Sequence, residues 1–84
     1  MPLIALEPGH SIALSKCIDC DPLQETTVTN NAESEGRYVI SYDLAPLSIQ
    51  FKIAPGHHST MCTSLGGTLA NSGDVTLDVS TPGL

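Results

Sequence analysis

Cys17-Ile18-Asp19-Cys20 sets two thiols two residues apart, a spacing from which one turn of chain can chelate a tetrahedral metal ion. His58 and Cys62, four residues apart further along, could supply the other two ligands. A set of Cys17, Cys20, His58 and Cys62 would suit zinc, which takes thiolate and imidazole together. Against this, the gap between the two pairs is long, and Asp21-Pro22 follows Cys20 where zinc knuckles usually carry glycine. Two other fates compete for the same thiols. In an oxidising compartment Cys62 would staple the halves by a disulfide to Cys17 or Cys20. With all thiols reduced, Cys62 would be a buried small apolar residue on its strand. A redox role for Cys17 and Cys20 is weaker, because Asp19 and Asp21 oppose thiolate formation and Lys16 is the only nearby cation. The expectation is a protein without a cofactor, with zinc as the alternative.

His10 and His57 each follow a Pro-Gly pair, and His58 adjoins the second. Polar side chains at turn tips account for all three. An acid-base site would have to gather them with Asp19 or Asp21. The other marks of catalysis are missing: there is no G-x-S-x-G nucleophile elbow, and Gly66-Gly67 has neither the lysine nor the spacing of a phosphate loop. Asp74 and Asp78 fall on the polar face of an alternating segment, where charge is ordinary. The expectation is a protein that is not an enzyme.

The elements that would position these residues come from a near-repeat. Ile4-Ala5-Leu6-Glu7-Pro8-Gly9-His10-Ser11 is echoed by Ile53-Ala54-Pro55-Gly56-His57-His58-Ser59, and each copy leads on to an Asn-led turn, at Asn30-Asn31 and at Asn71-Ser72-Gly73. Leu47, Ile49, Phe51 and Ile53 alternate with polar residues, as do Tyr38, Ile40 and Tyr42, and Val75, Leu77 and Val79, which is the period of half-buried strands. Strands are expected at about 3–7, 10–16, 24–29, 37–43, 47–53, 59–65, 67–71 and 74–80. Pro8-Gly9 and Pro55-Gly56 suit type II turns, Asn71-Ser72-Gly73-Asp74 suits a hairpin, and Ala45-Pro46 marks a break. A helix over 60–71 is disfavoured by Gly66-Gly67 in its middle.

A chain of 84 residues holds one core, so residues 1–84 form a single domain and the repeat is internal to it. The expected fold is all-β: a small antiparallel β-sandwich of about eight short strands, Greek-key and immunoglobulin-like in layout, whose halves 4–43 and 52–80 superpose about a pseudo-twofold axis. Its only aromatic residues are Tyr38, Tyr42 and Phe51, so the core is thin and rests on aliphatic side chains.

Lys16, Arg37 and Lys52 stand against nine carboxylates, a formal net charge of −6. That balance repels phosphate backbones and anionic lipid, so neither nucleic acid nor membrane is an expected partner. Met1 to Gly9 has no basic region and its apolar run stops after four residues, which predicts no secretory signal and a cytoplasmic protein or one assembled into a particle. A thin core and open sheet edges point to a homo-oligomer. The functional expectation is a non-catalytic binding or structural assembly module, a self-associating subunit of a virion, tail or appendage. The alternatives are a zinc-stabilised accessory protein and a small enzyme or ligand-binding protein with a histidine-containing loop site.

Overall fold

The computed structural model describes residues 3–17, 19, 24–43, 47–63 and 65–81. Among the described residues there are eight strands: β1 (Leu3–Leu6), β2 (Ser11–Lys16), β3 (Glu25–Thr29), β4 (Gly36–Tyr42), β5 (Ser48–Ile53), β6 (His58–Cys62), β7 (Leu65–Asn71) and β8 (Leu77–Ser80). Each expected strand is found, shifted at its ends by up to three residues. They form two four-stranded antiparallel sheets, one ordered β1-β8-β3-β6 and the other β2-β7-β4-β5.

Both sheets turn their apolar faces onto one core. The first contributes Leu6, Val28, Leu77 and Val79, and the second contributes Leu14, Tyr38, Ile40, Ile53 and Leu69. Tyr38 stacks on Phe51 across β4 and β5 with ring centroids 5.1 Å apart. Alternation along the strands explains the rest: in β3, Thr26 and Val28 are buried while Glu25 faces out, and in β4 the buried positions are Gly36, Tyr38 and Ile40.

The connectivity differs from an immunoglobulin-like layout. An immunoglobulin domain keeps its first two strands in one sheet, whereas β1 and β2 belong to different sheets. Here only β4 and β5 are consecutive neighbours within a sheet, and every other connection crosses between sheets. The expected hairpin at Asn71-Ser72-Gly73-Asp74 is likewise a crossing, from β7 to β8. The Asn71 side chain closes that segment, accepting from Gly73 N at 3.0 Å and donating to Val75 O at 2.7 Å, so β8 begins at Leu77 and not at 74.

Gly66 and Gly67 lie inside β7, which starts at Leu65. Both have positive φ, 76° and 143°. A Cβ on Gly67 would lie 2.1 Å from the Ser41 carbonyl oxygen, so the close approach of β7 to β4 there requires glycine. Gly9 and Gly56 have φ of 81° and 75°, the left-handed conformation that the Pro-Gly turns called for. The Ala45-Pro46 break lies outside the described residues.

Candidate functional site

The antiparallel pairings make β1, β3, β5 and β7 run toward one end of the sandwich and the other four strands run back. Four connections, residues 7–10, 30–35, 54–57 and 72–76, therefore cluster at a single end. All three histidines are at that end, with His10 on the β1 and β2 flank and His57 and His58 on the β5 and β6 flank.

Two asparagines tie this end together. Asn71 Nδ2 donates to Leu6 O at 2.8 Å and to Val75 O at 2.7 Å, and its Oδ1 accepts from Gly73 N at 3.0 Å. Asn30 Nδ2 donates to Ile53 O at 3.0 Å and to Ser34 O at 2.8 Å, and its Oδ1 accepts from Ala32 N at 2.9 Å. Their main chains grip the Pro-Gly turns. Gly9 N donates to Asn71 O and Asn71 N to His10 O, while Gly56 N donates to Asn30 O and Asn30 N to His57 O. Each Pro-Gly-His turn is thus held by the asparagine of the other half of the chain. Both side chains are buried, so their donors and acceptors must be met within the protein.

Between the two Asn-led loops lies a polar cleft of about 340 Å³, lined by Ser34, Glu35, Arg37, Ser72, Gly73 and Asp74. Arg37 Nε lies 3.6 Å from Glu35 Oε1, with both side chains half exposed. The guanidinium and two carboxylates give the cleft mixed charge suited to polar contacts, and its lining includes no histidine. His10 stands at an exposed turn, its Nδ1 3.9 Å from Glu7 Oε2. Asp19, the acid-base partner expected for the histidines, lies beyond β2 toward the opposite end, and Asp21 lies outside the described residues.

The proposed zinc ligands are not drawn together. Cys17 is disulfide-bonded, so its sulfur is not a thiolate. His58 and Cys62 sit at opposite ends of β6, and four residues of extended chain span about 13 Å, whereas donors on one zinc ion lie within about 4 Å of each other. Cys20 lies outside the described residues. Among the described residues no group of three or more His, Cys, Asp or Glu side chains is close enough to hold a metal ion.

Cys62 itself corrects an expectation. Its thiol is exposed, on the outward face of β6 opposite Glu25, and Ser59 and Met61 take the inward positions. Met61 is the stronger apolar residue and packs on the core, which fixes the face that Cys62 presents.

At the other end a buried hydroxyl cluster links three segments. Thr26 Oγ1 lies 2.7 Å from Thr63 Oγ1 and 2.6 Å from Thr81 Oγ1. No single stretch of sequence signalled it, because its members are 37 and 55 residues apart from Thr26. The asparagines did have a signal, since each leads the turn at the same place in the near-repeat.

Comparison with protein-family models, with curated proteins and with solved structures gives no match. No helix among the described residues is long and apolar enough to cross a membrane.

Proposed function

We propose that this protein is a non-catalytic assembly module that works by associating with copies of itself in a larger structure. One observation carries the reading. The exposed large apolar side chains among the described residues are Leu3 at 63%, Leu47 at 53% and Ile49 at 37%, and all three lie on or beside an edge strand, β1 or β5. An edge strand offers unpaired backbone groups, and proteins that stay monomeric usually blunt such edges with charge, proline or a cover. Apolar side chains on open edges favour a partner strand.

The same reading takes the chain as an internal twofold repeat. Exchanging β1–β4 with β5–β8 turns the order β1-β8-β3-β6 into β5-β4-β7-β2, which is the second sheet read backward. The matching hydrogen bonds of Asn30 and Asn71 support the equivalence. The register departs from it in one pairing. Gly36 and Leu77 are equivalent opposite Ile53 and Leu6, yet Asn71 pairs with Tyr38 while the Thr29–Asp78 pairing brings position 30 level with Leu77. A shift of two residues keeps every side chain on its face.

Light scattering over a dilution series from about 100 µM to about 1 µM tests the assembly reading, since self-association is set by mass action. A mass above that of one chain, falling on dilution, is the expected result. A monomer at every concentration counts against it.

A further inference from the structure

Among the described residues β1 and β6 are the edges of one sheet, and β2 and β5 are the edges of the other. The short connections 7–10 and 54–57 place β1 over β2 on one flank of the sandwich and β5 over β6 on the opposite flank. The two edges of each sheet run in opposite directions, because three antiparallel pairings separate them. A second copy set alongside in the same orientation therefore brings its β1 antiparallel to β6 of the first, and its β2 antiparallel to β5, with the core faces level.

Resting on the self-association reading above, we propose that copies join head to tail through these flanks, β1 and β2 of one copy adding to β6 and β5 of the next. The register that pairs Ala5 with Thr60 of the next copy satisfies the faces and the backbone together. Ile4 and Leu6 are the inward residues of β1, and Ser59 and Met61 those of β6. Thr63 N donates to Gln24 O and Asn30 N to His57 O, which sets the phase of the ladder. The amides and carbonyls of Thr26 and Val28 then point to β6, those of Thr27 and Thr29 to β8, and those of Leu77 and Val79 to β1. Those of Ala5 and Thr60 are left aimed at the open edges, so the two residues can exchange both main-chain bonds.

In this register Ile4 lies beside Met61 on the inward face and Glu7 beside His58 on the outward face, a carboxylate next to an imidazole. A slip of two residues either way separates both pairs. The equivalent register on the other sheet, carried over by the near-repeat, sets Ile12 beside Ile53, Leu14 beside Phe51 and Lys16 beside Ile49. Exposed Leu3 is covered by the end of β6, and exposed Ile49 by the aliphatic stem of Lys16. Twofold pairings match less well. Two β1 strands centred on Ala5 bring Leu3 beside Glu7 twice, and two β6 strands centred on Thr60 bring Met61 beside Ser59.

A contact between unlike flanks is heterologous, so it propagates into a filament or closes only as a ring.

Proline tests each flank, because the amides of Ala5 and Thr60 face the open edges and take no part in the internal ladder. Ala5→Pro closes the β1 edge and Thr60→Pro the β6 edge, and either alone is expected to lower the association constant by about tenfold or more. At a concentration where neither variant associates, their equimolar mixture is expected to give pairs that grow no further, since one still offers β6 and the other β1. Sedimentation velocity on the full chain reads the species, with melting temperature as the check on folding. Ala5→Lys and Thr60→Lys, at exposed positions, take the place of a proline variant that is unfolded. Association of either variant at wild-type strength shows that one flank suffices, which overturns the head-to-tail contact and leaves self-association standing. A mixture that stays monomeric overturns the contact as well. A wild type that is monomeric throughout removes both readings.

Discussion

Asn30 and Asn71, 41 positions apart, make the same three side-chain hydrogen bonds, each to the carbonyl four residues on, to the amide two residues on, and to a strand end in the other half of the chain. Asn71 reaches Leu6 and Asn30 reaches Ile53, so each closes a loop and joins the two sheets in one act. Replacing either by alanine strands two carbonyl acceptors and is expected to cost about 3 kcal/mol, a large share of the stability of so small a domain. Asn71→Asp should be at least as damaging, because a carboxylate would face two carbonyl oxygens. Urea unfolding of the three variants measures this, and a loss near zero for Asn71→Ala would remove the asparagine from its structural role.

The two kinds of positive-φ glycine should respond differently to alanine. At Gly9 an added Cβ meets nothing within 4 Å, so the cost is the conformational one alone, about 1–2 kcal/mol. At Gly67 the same atom meets the Ser41 carbonyl at 2.1 Å, and a loss of about 3 kcal/mol or more is expected as β7 and β4 separate. Melting curves of the two variants rank them, and equal shifts would contradict the close approach.

Thr26 bridges Thr63 and Thr81 through one hydroxyl, with all three residues buried. Thr26→Val keeps the shape and deletes the bridge, leaving two buried hydroxyls short of a partner. The expected destabilisation is about 1–3 kcal/mol. Thr26→Ser retains the oxygen and should lose less, and denaturant titration of both variants separates the hydroxyl from the methyl.

Zinc should not stabilise the oxidised protein, because Cys17 is held in a disulfide and His58 and Cys62 lie at opposite ends of β6. Elemental analysis of protein purified without reductant or chelator is expected to find less than about a tenth of an equivalent of zinc, with no change in melting on adding chelator. Stoichiometric zinc would revive the ligand set Cys17, Cys20, His58 and Cys62.

The strands were legible in the sequence because a half-buried strand writes its period of two into neighbouring residues, as in Tyr38 and Ile40 of β4, whereas of Leu47, Ile49, Phe51 and Ile53, with the same period, only Ile53 is buried outright. The partner of each strand was not, since β1 pairs with β8 and β2 with β7 over long separations that no local pattern encodes. The same limit hid the Thr26 cluster and the polar cleft, whose residues come from both loops. Cys62 was misplaced for a local reason. In His58–Cys62 only Met61 is strongly apolar, so the alternation that assigns a face is weak until β6 is seen against β3. The near-repeat was visible from its Pro-Gly-His turns, although the sequence did not say that each turn would be gripped by the opposite half.

Pairing β1 with β8 has a consequence for how the molecule comes into being. While the ribosome is still making the chain, β1 has no neighbour, β2 must wait for β7, and the single hairpin of β4 and β5 is the one sheet contact available early. Folding is thus held back until β7 and β8 have been made, in the slow regime that distant pairing imposes. Leu3, Ile4 and Leu6 stay uncovered through that interval, and the newborn chain is most exposed to wrong partners when its crowded neighbours are copies of itself.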